Sequence, residues 1–294
     1  MNEHVVCFGA DNALVGVFTK PAMTATGPLP GFILLNSGII HRVGPNRLYV
    51  KVARRLAAAG YPVLRFDLSG IGDSSARTDT LTFEKSAVSE TIEAMRFLKD
   101  RMGVEQFILA GICSGADISF MTARESPEVV GAVLINGRGL HGVTDDAGDQ
   151  LVDQLRQDIQ ARYLWKSALF NPQSWMKLIR AKVDYGELAR LVNYQIRSRL
   201  GGRRKPPAAA PGLQADFRTL LDRGVHLLLV YSEGDPGLDY IEIMLGSELQ
   251  KLTARDNCGK VILREADHTF TLMQSQDDLI ETMRAWANGR WGRV

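Results

Sequence analysis

QFILAGICSGADISF, residues 106–120, runs from an apolar segment through a glycine-flanked turn into a helix-compatible segment. Gly111 stands two residues before Cys113 and Gly115 two after it. This is the spacing of a G-x-nucleophile-x-G turn, where small flanking residues let a strand turn sharply into a helix and hold the middle side chain out at the tip. Ser114 does not fit that register, because Ile112 and Ala116 flank it at the same distances. Cys113 is therefore the residue expected at the tip. Taken alone, so short a pattern also suits a small buried cysteine, and its weight depends on what the rest of the chain supplies.

Outward from this turn, apolar runs alternate with helix-compatible stretches. GFILLNSG (31–38), YPVLRFDL (61–68), QFILAGIC (106–113), VVGAVLIN (129–136), VHLLLVYS (225–232) and KVILREA (260–266) are nearly continuous apolar runs, as parallel strands covered on both faces should be. HVVCF and LVGVFTK before them suit an antiparallel hairpin at one edge. Helices are expected over 47–59, 82–101, 115–124, 241–252 and 277–288. Gly60 and Gly103 follow the first two, residues suited to a left-handed C-terminal cap. The predicted class is α/β, a mostly parallel central sheet with helices on both faces.

The alternation stops after Asn136. QLVDQLRQDI, QSWMKLIRAKV and YGELARLVNYQIRSRL look helical, and GGRRKPPAAAPG (201–212) reads as a basic Gly/Pro-rich linker. The expected organisation is a core of 1–137 and 214–294 interrupted by a helical lid insertion, 138–213. Residues 154–212 hold twelve Lys or Arg against three acids, a local +9 in a chain of net charge +2. Such a segment suits a solvated basic face or an anionic partner. It lacks aromatic interleaving on a sheet, so nucleic acid is not the expected partner.

Composition sets outer bounds. The chain has 294 residues, 45% apolar and 23% charged, enough to bury a large core and unlike a disordered chain. MNEHVVCFGADN shows no secretory signal, and no window reaches the 18 apolar residues of a membrane span. A cytoplasmic protein with no membrane span is expected. Three cysteines (Cys7, Cys113, Cys258), odd in number and far apart, argue against a disulfide framework or a zinc site. Neither a metal-ligand cluster nor a GxGxxG stretch occurs, so no metal or dinucleotide cofactor is expected.

Ligands of an α/β sheet bind beyond the carboxyl ends of its strands. READHTF puts His268 directly after the last apolar run, and VYSEGDPGLDY offers Asp235, with Asp239 as the alternative acid and Glu233 less well placed. Cys113, Asp235 and His268 then follow one another as nucleophile, acid and base, each just past a strand. His41, in the loop after an earlier strand, is a candidate for lining the same pocket.

NSGIIHRVGPNR, FDLSGIGDSS, GICSGA, SEGD and ADHTF together resemble the α/β-hydrolase superfamily over nearly the whole chain. The similarity is to its lid-bearing serine aminopeptidase and thioesterase-like branch, which includes hydrolases associated with bacterial exosortase systems. The departure is cysteine in place of serine, a substitution also used by dienelactone hydrolases, polyhydroxyalkanoate synthases and bile-acid acyltransferases. The resemblance implies an oxyanion hole from the backbone N–H of Ser114 and a second N–H from the NSGII loop, assigned to Ile39. It implies acyl transfer from an ester or thioester, as thioesterase or acyltransferase, through a thioester on Cys113. Small-ester or lactone hydrolysis by the same triad is the alternative, and a retired binding module is the non-enzymatic one. Tyr163, Trp165, Phe170 and Trp175 are candidates for lining an acyl pocket, although their near-helical spacing equally suits packing. The basic insertion would suit the phosphates of coenzyme A or an acidic carrier protein. Arg42 and Arg47 would bind a substrate carboxylate or pair with local acids.

Overall fold

The computed structural model describes residues 3–22, 27–137 and 211–292. All but the last three residues of the expected insertion, 138–210 with Tyr163, Trp165, Phe170 and Trp175, lie outside the described residues. The strands are β1 (Glu3–Phe8), β2 (Leu14–Thr19), β3 (Gly31–Leu35), β4 (Val63–Phe66), β5 (Phe107–Ile112), β6 (Val129–Ile135), β7 (His226–Ser232) and β8 (Cys258–Leu263). They form one sheet in the order β1-β2-β4-β3-β5-β6-β7-β8. β1 and β2 are the antiparallel hairpin expected at one edge, and β2 joins β4 antiparallel. From β4 onward every pairing is parallel. Six strands therefore deliver their carboxyl ends to one edge of the sheet.

The central strand shows why the apolar runs were nearly continuous. Phe107 and Leu109 of β5 enter one core cluster, whereas Ile108, Ala110 and Ile112 enter the other, on the opposite face. The first cluster is closed by α2 (Phe83–Met102), α3 (Ser114–Glu125) and α4 (Pro211–Asp222), and the second by α1 (Leu48–Ala58) and α7 (Met273–Asn288). Each fully buried Leu, Ile or Phe contributes about 1.5–3 kcal/mol of transfer free energy, so a period-two pattern apolar on both faces leaves little choice but a sheet between helices.

Two elements depart from the sequence expectation. The helix expected over 241–252 is two, α5 (Pro236–Leu245) and α6 (Ser247–Thr253), separated at Gly246, whose φ of 54° and ψ of −131° no right-handed helix accepts. α4 begins at Pro211, inside the stretch expected as linker, and buries Leu213, Phe217, Leu220 and Leu221 on the core. Those positions repeat at the spacing of an amphipathic helix. Among the described residues, no helix is long and apolar enough to cross a membrane.

Candidate active site

β5 passes into α3 through a single strained residue. Cys113 has φ 57° and ψ −120° and forms the N-cap of α3, a conformation that costs a non-glycine residue about 1–3 kcal/mol. The turn is held from both sides, because the Cys113 N–H donates to the Ile135 carbonyl of β6 at 2.9 Å and the Ala116 N–H donates to the Cys113 carbonyl at 3.0 Å. Both flanking glycines are required by close approach. A Cβ on Gly111 would stand 2.4 Å from the carbonyl carbon of Gly115, and one on Gly115 would stand 2.6 Å and 2.7 Å from the carbonyl oxygens of Leu35 and Asn36. Cys113 itself is partly exposed, whereas Cys258 is buried in the core and burial pushes its thiol up to about 11.

Asp235 and His268 meet across the ends of β7 and β8. Asp235, 5% exposed, is the N-cap of α5, and its Oδ1 accepts the Gly237 N–H at 2.8 Å. Its other oxygen, Oδ2, lies 2.6 Å from His268 Nδ1. The helix cap thus fixes the carboxylate that orients the imidazole. Asp239, the alternative acid, is exposed on α5, as is Glu233 before it.

Gly38 follows β3 at a φ of 56°, and its N–H donates to Ser114 Oγ at 2.8 Å. The loop N–H brought to the elbow is therefore that of Gly38, one residue before the expected Ile39, which is 92% exposed. The loop beyond is tied down by buried polar side chains. Asn36 donates to the Ile40 carbonyl at 3.0 Å and accepts the Leu68 N–H at 2.8 Å. Asp67, fully buried, accepts the Arg42 N–H at 2.6 Å and the Asp73 N–H at 3.1 Å. The Arg42 guanidinium pairs with both Asp67 and Asp73. Of the two roles expected for Arg42, the structure gives it pairing with local acids, which engages the guanidinium from two sides. Arg47 and His41 are exposed on the same loop. Trp165 and Trp175 lie outside the described residues.

The histidine loop has its own clamp. Asn136, buried at the end of β6 with φ 48°, donates to Ser232 Oγ and to the His268 carbonyl, each at 3.0 Å, and accepts the Ser232 N–H at 2.8 Å. Ser232 Oγ in turn donates to the Asp267 carbonyl at 2.9 Å. Burial alone would raise the Asp267 carboxyl, but bonds from Thr271 and Thr269 outweigh it and hold the group below the usual carboxylate range. Asn36, Asp67, Asn136 and Ser232 were not singled out from the sequence. Their signal is legible there in hindsight, since Asn36, Asn136 and Ser232 are each the first polar residue to end an apolar run at the sheet's carboxyl edge, and Asp67 ends one broken only by Arg65. Among the described residues, no group of three or more His, Cys, Asp or Glu side chains is placed to hold a metal ion.

Residues 32–208 match the family described as alpha/beta hydrolase fold. A protein of Thermotoga maritima named Esterase EstD is 30% identical over 141 residues, 46% of this chain and 33% of that esterase, so the likeness spans a third of the relative's length. Among solved structures, an esterase of Pyrococcus furiosus superposes with a TM-score of 0.60 at 14% identity, covering 99% of this chain and 91% of the other. A proline iminopeptidase of Mycobacterium smegmatis superposes with a TM-score of 0.59 at 14% identity, covering 98% of each. At such identities these two structures speak for the fold alone.

Proposed function

This chain belongs to the alpha/beta hydrolase family, and we propose that it is an acyl-transfer enzyme cleaving an ester or thioester through a covalent thioester on Cys113. The observation that carries this reading is the strained elbow, which holds Cys113 at the strand-to-helix tip at φ 57°, in a fold whose Asp235–His268 pair is formed at 2.6 Å. A backbone kept in so costly a conformation, with glycines obligatory on both sides, suits a side chain presented for reaction better than a packing residue.

In this mechanism His268 takes the thiol proton of Cys113 while Asp235 fixes the ring's orientation. The sulfur forms a bond to the substrate carbonyl carbon, and the carbonyl electron pair moves onto oxygen. The N–H of Ser114 stabilises that oxyanion, and we take the Gly38 N–H, in place of the expected Ile39, as second donor, on condition that it exchanges its bond to Ser114 Oγ at 2.8 Å for one to the substrate oxygen. Collapse of the intermediate expels the alcohol or thiol, protonated by His268, and leaves the acyl group on sulfur. Water, an amine, an alcohol or a thiol then gives its proton to His268, attacks the thioester and frees Cys113. Acyl donors carried on coenzyme A or on an acidic carrier protein agree with the local charge of +9 over residues 154–212.

Intact-protein mass spectrometry tests this directly. Wild-type protein incubated with p-nitrophenyl esters and with acyl thioesters should gain one acyl mass, mapped to Cys113, and Cys113→Ala should gain none. Varying the acceptor then separates hydrolysis from transfer. Ester turnover by a folded protein with no adduct on Cys113, at a rate that Cys113→Ala retains, would overturn the reading.

A further inference from the structure

Tyr49 stands in the first turn of α1, is not a member of the triad, and is 2% exposed. Its hydroxyl donates to the Leu35 carbonyl at the end of β3 at 2.8 Å and accepts the Ile112 N–H at the end of β5 at 3.0 Å. β3 and β5 pair in parallel register only as far as Leu35 opposite Gly111. At the next position, where the two strands part, the phenol oxygen takes the place of a ladder bond. Ile112 immediately precedes Cys113, and Leu35 lies three residues before Gly38, so one buried atom joins the nucleophile's strand to the strand that feeds the oxyanion loop.

The same residue supports the far end of that loop, through its main chain and its ring. The Tyr49 N–H donates to the Val43 carbonyl at 3.0 Å. Gly44, at φ 71°, lies so close to the ring that an added Cβ would come within 2.6 Å of Tyr49 Cγ. The Leu35 carbonyl that Tyr49 holds is also the group against which Gly115 packs, with 2.6 Å from its oxygen to a Cβ built on that glycine. Loop start, loop end and elbow are thus referred to one residue. Burial pushes the Tyr49 phenol well up, so it remains a neutral donor and acceptor throughout the working pH range.

We propose that Tyr49 is a positioning residue that sets the distance between the Cys113 elbow and the Gly38 oxyanion donor, and so governs stabilisation of the oxyanion without touching substrate. The proposal rests on the reading of Cys113 as nucleophile given above. Oxyanion donors act at distances of about 2.7–3.1 Å, and losing one costs roughly 10²–10³ in kcat. A hub that lets the two halves of the hole drift apart should therefore act on kcat while leaving substrate binding almost intact.

Tyr49→Phe keeps the ring and removes only the bridging oxygen. Expected is a fall of about 10- to 100-fold in kcat for a p-nitrophenyl ester, with KM within about threefold of wild type. Alkylation of Cys113 by iodoacetamide passes through no tetrahedral oxyanion, and its rate should stay within about threefold of wild type. Should Tyr49→Phe not fold, Gly44→Ala, whose methyl group presses on the ring from the loop side, should show the same selective pattern. Equal losses in ester turnover and alkylation, or no loss in either, would overturn the positioning role while leaving the nucleophile reading in place. A folded wild type that forms no Cys113 adduct overturns both.

Discussion

Gly115 and Asp235 carry their roles as single residues, one by lacking a side chain and the other by the two oxygens of its carboxylate. Gly115→Ala would place a methyl against the two main-chain carbonyls of Leu35 and Asn36, and neither can yield without moving β3 or its loop. We expect ester turnover to fall more than about a hundredfold and the melting temperature to drop by several degrees, as for other overpacked sites, measured by kinetics and thermal unfolding. Asp235→Asn tests the acid separately. An asparagine can still accept the Gly237 N–H and cap α5, so stability should change little, while its amide presents the wrong group to His268 Nδ1 or turns its oxygen away from the cap. The expected fall in kcat is about a hundredfold or more, with the melting temperature within roughly two degrees. The converse pattern, a large stability loss with turnover preserved, would assign Asp235 to the helix cap alone.

At the level of elements, the edge hairpin depends on one carboxylate. Glu3 at the start of β1 accepts from Arg54 Nη2 of α1 at 2.8 Å and from Arg65 Nη2 of β4 at 3.3 Å. The hydrogen bond from Arg54, helped by the charges of Arg54 and Arg65 and opposed by burial, holds the Glu3 carboxyl below its usual range. A folded-state value depressed in this way gives stability that is fully present above the unfolded value of about 4.3 and is lost as pH falls through the folded one. Glu3→Gln should therefore lower the melting temperature by about 2–4 °C at pH 7, and the gap between variant and wild type should narrow steadily as pH falls below about 4.3. A gap independent of pH would mean that packing of β1, not its charge, is what matters. The helix boundaries were less legible than the strands. The split at Gly246 is set by that residue's φ of 54°, whereas the start of α4 in a Gly/Pro-rich stretch is decided by burial of Leu213 and Phe217 on the core, which overrides local composition.

In the molecule as a whole, the six parallel strands bring to one edge groups that are 155 positions apart in number, Cys113 and His268. Asn136 links two of the contributing segments, binding β7 through Ser232 and the histidine loop through the His268 carbonyl. Asn136→Ala would take the acceptor from the buried Ser232 N–H and the side-chain donor from the His268 carbonyl, and keep a side chain at φ 48°. A destabilisation of about 2–4 kcal/mol is expected, measured by urea unfolding, together with reduced turnover as His268 loses its anchor. The alternating apolar runs, the glycine register at 111 and 115 and the order Cys113, Asp235, His268 could be read from the chain alone, because strand burial, steric need at a turn and chain order are local or sequential properties. Which acid faces the histidine, which loop N–H reaches the elbow, and what engages Arg42 required the fold. Those are contacts between strands distant in sequence, and distances of 2.6–2.8 Å between them are set only when the sheet and its two layers of helices have closed.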